Sequence, residues 1–338
     1  MSTLPILICF GFGLFLIAHI FSKVFSRPLY FFLIQVFFFL IPLQLLLFNM
    51  PKTDLSQVYI GDMLGADFLN PLPAHAILLV GGDTALFNTW YMHYARHVRS
   101  DVVLINLSLA TMDPYIQKEE NLVKKQFPKA KDNELVAKTL LAVSQKRPVF
   151  SYEQLQAPGN TKLSWIPTGL VYQLSADGSK PEKFVFLKNI NNTMQKIHTP
   201  LQKEKNYKNF TIADIPLIYA KSTWAVGNYL LNTYKDPDTA LDFYKKALTI
   251  SPTFESPYIT SGLVYLTSKN DCKNAEFSLK ESLRLAPYDE FPYFLLYTTY
   301  TECYHDKKKA QNVIKEFEEE FGLKFFDELA KNLNLAKK

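Results

Sequence analysis

Two long apolar runs open the chain. Leu4–Phe21 is 18 residues with one polar interruption, His19, and Leu29–Phe48 is 20 residues broken only by Gln35, Pro42 and Gln44. As helices, each would span roughly 27–30 Å, the thickness of a bilayer core. The pattern predicts a transmembrane hairpin over 1–50. Lys23 and Arg27 lie in the connection, which places it in the cytoplasm and residues 51–338 in a periplasm or lumen. A short helix is then expected over Tyr59–Leu69, ending at Asn70-Pro71. Ala76–Val80 (AILLV) and Asp101–Leu107 (DVVLINL) are short apolar runs of buried-strand type, with a helical stretch from about Thr84 to Val98 between them. That order predicts a βαβ unit with a right-handed crossover.

Further on, residues 117–146 read as Lys-rich helix broken near Pro128, and Arg147–Phe150 as a strand. Pro167–Leu174 and the alternating Lys183–Leu187 (KFVFL) read as two more strands, and Asn191–Asn209 as a polar linker. Beyond it the period lengthens. Ala240, Ala275 and Ala310 are 35 apart, as are Tyr244, Leu279 and Ile314; Pro252 and Pro287 each follow an alanine by 12. Trp224, Tyr258 and Tyr293 recur upstream at intervals of 34 and 35. This pattern resembles the tetratricopeptide repeat, whose small residues let paired helices approach and whose prolines end them. It predicts about three repeats over Ala220–Gly322 and a capping helix over Phe325–Leu335. The expected domains are thus a membrane hairpin (1–50), an α/β domain (51–205) and helical repeats with their cap (206–338).

Composition narrows the function. The net charge over 338 residues is +5, and only Arg27, Arg96, Arg99, Arg147 and Arg284 are arginine among 37 basic residues. Lysines interleaved with acids describe a solvated face, which argues against nucleic-acid binding. Of the three cysteines, Cys9 lies in the first apolar run and no CxxC pair exists. Cys303 ends the first helix of the third repeat and Cys272 begins the second helix of the second. Their helices should be antiparallel neighbours, so a disulfide forms if the Cα atoms fall within about 7 Å. Asn106, Asn191 and Asn209 stand in N-x-[ST] sequons.

Gly81, Gly82 and Asp83 end the first strand, the edge where parallel sheets usually take ligands. Asp83 has two readings, as a ligand contact and as the cap of the following helix. No GxGxxG and no P-loop lysine accompany it, so a nucleotide enzyme or hydrolase at this edge has little support. His93 and His97 are four apart, a spacing that can hold zinc. With no HExxH glutamate and no third ligand, they read instead as part of an aromatic face with Trp90, Tyr91 and Tyr94, and no metal or cofactor is expected. Gly82, Asp83, Trp90, Tyr91, Arg99 and Asp101 are the candidate ligand-binding residues.

The segment Ala74–Ile116 carries a family resemblance. Gly82-Asp83, Phe87, Trp90-Tyr91, Arg99, Asp101-Val102, Asn106–Leu109 and Tyr115-Ile116 are its matching features, continued by Arg147-Pro148-Val149 and Gly169–Tyr172. It resembles the post-membrane part of bacterial multi-spanning proteins related to the GT-C type transmembrane O-mannosyltransferases. The resemblance implies a glycosyltransferase context. The catalytic carboxylate expected in the first extracytoplasmic loop of such proteins has no counterpart between the two apolar runs, where no Asp or Glu occurs. The implied role is an accessory, acceptor-recognising part that is not active alone and works with a multi-spanning catalytic subunit. The competing expectation is a membrane-anchored repeat scaffold that binds a protein or peptide in its groove without chemistry.

Overall fold

The computed structural model describes residues 42–50, 59–126, 132–155, 163–198 and 210–329, with a few isolated positions before residue 42. The chain divides into two compact units, Met1–Val58 and Tyr59–Lys338. No helix among the described residues is long and apolar enough to cross a membrane. This overturns the two-span hairpin, and with it the placement of the body across a bilayer. The continuous described helix in the first unit covers only residues 42–50, about 14 Å at 1.5 Å per residue. Leu4–Phe21 and the first part of Leu29–Phe48 lie almost wholly outside the described residues.

The second unit is mostly helical with a small mixed sheet. Helix α1 (Ile60–Leu69) precedes β1 (Ile77–Val80), α2 (Asp83–Trp90) and β2 (Val103–Asn106). Then come α3 (Pro114–Gln126), α4 (Asp132–Ser144), β3 (Val149–Ser151), β4 (Ser164–Pro167), β5 (Tyr172–Ser175) and α5 (Lys183–Met194). The strand order is β2-β1-β3-β5-β4. Strands β1, β2 and β3 are parallel, with Leu78 opposite Leu104 and Phe150, and β5 pairs antiparallel with both β3 and β4. All four β1 residues are buried, because a parallel strand is covered on both faces. Ile77 and Leu79 share a core with Ile105, Ile116, Leu140, Val143 and Trp165, so α3 and α4 cover that side.

Two strand expectations shift. Pro167–Leu174 is not one strand: β4 ends at Pro167, and a turn bonded from Thr168 N–H to the Val171 carbonyl (2.8 Å) reverses the chain into β5. Lys183–Leu187 is helix, not strand, since Phe186 and Ile190 are buried one turn apart while Phe184 is exposed. The helix after β1 also stops early. A π turn, Tyr91–Ala95, ends it before His97, so His93 and His97 do not share a helix face.

Three helix pairs follow: α6 (Phe210–Tyr234) with α7 (Pro237–Ile250), α8 (Ser256–Val264) with α9 (Cys272–Leu285), and α10 (Phe291–Thr298) with α11 (Lys307–Phe321). Their 35-residue period extends to the backbone. Lys235, Asn270 and His305 all turn with φ of 51–54°. The next residue in each case, Asp236, Asp271 or Asp306, caps the second helix by accepting the N–H of Thr239, Asn274 or Lys309. An Asp cap fills an orphan donor and contributes about 1 kcal/mol per helix. The helices of the first two pairs meet at glycine. A Cβ on Gly227 would lie 2.5 Å from the Tyr244 ring, and one on Gly262 would lie 2.6 Å from Leu279 Cγ. The third pair has Tyr297 at that register, packed on Phe325 and Phe326. Residues 325–329 are helical, with Phe325 fully buried against Phe294 and Phe317; the rest of the expected cap lies outside the described residues. Phe186 and Ile190 of α5 enter the same core as Val226, Leu230 and Tyr244, which seats the repeats directly on the α/β layer.

Cys272 and Cys303 form a disulfide with Cα atoms 5.8 Å apart and a sequence separation of 31. It ties the end of the α10 turn to the start of α9. Replacing both cysteines by serine is expected to lower unfolding free energy by about 2–4 kcal/mol, read by urea melts with and without reductant; equal stability of the two forms would show the bridge to be idle.

Nearby, burial pushes the Glu276 carboxyl up, but hydrogen bonds from Lys280, Tyr300 and Tyr304 outweigh it and bring it down to about 2. A folded value below the ordinary 4.5 adds stability above that pH, which is lost as pH falls from about 4.5 towards 2. Glu276→Gln should therefore flatten the pH dependence of thermal unfolding in that window while leaving its course at pH 7–8 unchanged.

Candidate functional site

The six expected ligand residues do not converge. They divide between the two ends of the sheet. Gly82 and Asp83 follow β1 at its carboxyl end, whereas Arg99 and Asp101 precede β2 at its amino end. Gly82, at φ 75°, holds the helix-cap position itself and Asp83 is the first residue of α2, exposed. Trp90 meets Phe87 edge-to-face at 6.0 Å on α2, and Tyr91 is exposed in the π turn.

Arg99 is a clamp. Its guanidinium donates from Nε and Nη2 to both Asp101 oxygens (2.8 and 2.9 Å). It also donates to the carbonyls of Leu69 (3.2 Å), Leu72 (2.6 Å) and Pro73 (2.8 Å). Asp101 in turn accepts the His75 N–H at 2.9 Å, and Arg147 donates to the His75 carbonyl at 2.6 Å. The Arg99 hydrogen bonds, then that from His75, hold the Asp101 carboxyl well below the usual range. This network spends the fork of Arg99 on the chain between α1 and β1, which leaves little of it for a ligand. His93 is likewise engaged, its Nδ1 3.3 Å from the Val98 carbonyl, and no His/Cys/Asp/Glu group among the described residues could hold a metal ion.

The carboxyl end of the sheet is different. β1 lies between β2 and β3, and the chain passes from one side of β1 to the other, which is a topological switch point. The residue after β3, Tyr152, donates its N–H to the Leu79 carbonyl (2.8 Å). A Cβ on Gly82 would lie 3.7 Å from the Tyr152 ring. Tyr152 begins a cavity of about 780 Å³ closed on its far side by α6. One wall is Tyr152, Glu153, Gln154, Trp165 and Tyr172; the other is Lys221, Trp224, Asn228, Tyr229 and Asn232. Lys221, Ala225, Asn228 and Asn232 are spaced for one helix face, and the opposite face of α6, with Val226 and Leu230, is in the core.

Local bonds fix these walls. Trp165 Nε1–H donates to the Leu155 carbonyl and Trp224 Nε1–H to Thr260 Oγ1, each at 3.0 Å. Asn228 Oδ1 accepts the Tyr244 hydroxyl at 2.7 Å, which turns its NH2 group free of that bond. Burial pushes the Tyr152 phenol up to about 12, with Glu153 adding to it, and burial raises Tyr172 and Tyr229 as well. These phenols stay protonated at neutral pH and act as hydroxyl donors. The cavity thus offers aromatic faces, amides and hydroxyls, the composition of a small-molecule site with a few orienting polar groups. Of the expected residues only Gly82 approaches it.

One comparison with known proteins bears on this region. Residues 62–129 match the family model of TMEM260-associated domain 2. The match spans α1, the whole βαβ unit and α3, and so includes Gly82, Asp83 and the Arg99 clamp. A comparison with curated proteins finds no match.

The division of labour between the two ends is testable. Arg99→Ala should lower the urea midpoint clearly, because it frees the four backbone carbonyls of Leu69, Asn70, Leu72 and Pro73 together with Asp101. Asp83→Ala should leave the midpoint within error. The reverse ranking in paired urea melts would remove the clamp assignment.

Proposed function

We propose that this chain is the acceptor-recognition part of a glycosyltransferase system, supplying binding while a separate multi-spanning subunit supplies transfer. The carrying observation is the crevice in which the residues that follow β3 (Tyr152, Glu153 and Gln154) and Tyr172 of β5 face the polar stripe of α6. Support for the context comes from the TMEM260-associated match over 62–129 and from the resemblance of Ala74–Ile116 to proteins related to O-mannosyltransferases. The crevice lining contains no histidine or cysteine, and its two carboxylates, Glu153 after β3 and Glu255 before α8, come from different segments. The geometry therefore fits recognition rather than bond making.

The test is deletion of the chain in its native cells, followed by glycan profiling of that cell's proteins. A defined set of glycosylation products should fall at least about tenfold, a difference of ~1.4 kcal/mol in effective recognition. The wild-type chain should restore it, and the double variant Lys221→Ala/Asn232→Ala, both on the exposed side of α6, should not. An unchanged profile would reject the proposal.

The scaffold reading rests on the three helix pairs with their shared 35-residue register. It is favoured instead if deletion leaves glycosylation intact while a protein partner is lost on substitution of repeat surface residues.

A further inference from the structure

We infer that the crevice takes a neutral saccharide, so that the acceptor is an existing glycan rather than a bare polypeptide. The inference rests on the acceptor-recognition reading and narrows it to a ligand class. Three features of the cavity carry it.

The first is charge. Among the described lining residues the only cation is Lys221, and it shares the cavity with the carboxylates of Glu153 and Glu255. No arginine lines it. A phosphate or nucleotide would need concentrated positive charge or a helix N-terminus open to it. The helix start that lines the cavity, that of α8, carries the Glu255 carboxylate, which accepts the Ser256 hydroxyl at 3.2 Å, so an anionic ligand is disfavoured here.

The second is the pairing of ring faces with amides. Trp224 and Tyr229 on α6 oppose Tyr152 and Tyr172, while Trp165, buried in the core with Ile77 and Leu79, only borders the cavity. An aromatic face is electron-rich and apolar, and it matches the C–H face of a pyranose. Asn228, Asn232 and Gln154 each carry a donor and an acceptor in one plane, and neighbouring sugar hydroxyls present the same pair. Asn228 is already oriented by Tyr244, so its NH2 group is pre-set and little ordering is required on binding.

The third is shape. A polypeptide strand is usually taken by adding to a sheet edge, and the edge strands here are β2 and β4. The cavity touches β4 only at Trp165 and is otherwise lined mainly by the segment after β3, by Tyr172 and by α6, so little of it is strand edge. A space of about 780 Å³ falls within the range of small-molecule pockets, roughly 300–1,000 Å³.

The experiment uses the full chain, a panel of neutral di- and trisaccharides, and a Ser/Thr-rich peptide as a second probe. Binding is read by saturation-transfer NMR and by Trp fluorescence, since Trp165 and Trp224 both line the cavity. At least one saccharide should saturate with a Kd of about 0.1–10 mM, and Asn232→Ala should weaken it about tenfold with an unchanged thermal unfolding midpoint. Trp224→Phe, which keeps the ring and loses the bond to Thr260, serves as the second variant and should weaken binding less than Trp224→Ala. Saccharide binding insensitive to Asn232→Ala would overturn the assignment of this cavity. Peptide binding without saccharide binding would overturn the inference and leave the acceptor-recognition reading standing. Binding of neither probe would remove both.

Discussion

The fold depends on one constraint: β1 is a four-residue strand with parallel neighbours on both sides, and every one of its side chains is buried. Such a strand has no solvent face and must be covered on both sides. The α3–α4 layer fills one side through Ile116, Leu140 and Val143. Because β2 and β3 flank β1, the connection that follows β2 must cross to the other side of the sheet. The crevice lies past the end of β3, between Tyr152, Tyr172 and α6. The helix pairs then close it, since Phe186 and Ile190 of α5 bury into the core of α6 and α7.

Much of this was legible in the sequence where local rules and global packing agree. AILLV and DVVLINL are apolar without alternation and bounded by Pro and Gly, the mark of strands buried on both faces. The 35-residue spacing of Ala240, Ala275 and Ala310 placed the helix pairs because helix contact demands a small residue at a fixed register. Two equally periodic signals passed unread: the Lys235/Asn270/His305 turn positions and the Asp236/Asp271/Asp306 caps. Both recur at 35 and could have set the helix boundaries.

The misreadings have physical causes. KFVFL alternates like a strand, yet only Phe186 of its two phenylalanines is buried; Phe184 is 77% exposed, and an exposed aromatic inserted a false period. The apolar runs before residue 51 satisfy a hydropathy rule, but no helix among the described residues is long and apolar enough to cross a membrane. Gly82 and Arg99 are seventeen positions apart, and the intervening helix carries the chain from one end of the sheet to the other. The cavity's walls come from segments some seventy residues apart, near 152 and near 224, and no local motif joins them. The one available sign was on α6, where Lys221, Asn228 and Asn232 put a polar stripe on an otherwise apolar helix.

The two ends of the sheet therefore answer to different pressures. At the amino end, Arg99 is saturated by Asp101 and by backbone carbonyls, which makes it a stability device whose groups are fully used. At the carboxyl end of β3, Asn228 is held by the Tyr244 hydroxyl on its Oδ1 while its NH2 group takes no part in that bond. Strands of three or four residues separate the two by little more than about 10–13 Å; the clamp ties down the chain entering β1 and β2, while the crevice wall is built on the end of β3, on β4 and β5 and on α6. A residue shared by a family-matched segment is thus not by that fact a ligand contact. Here the matched segment supplies the frame, and most of the groups with chemistry left to offer lie in the part of the chain beyond it.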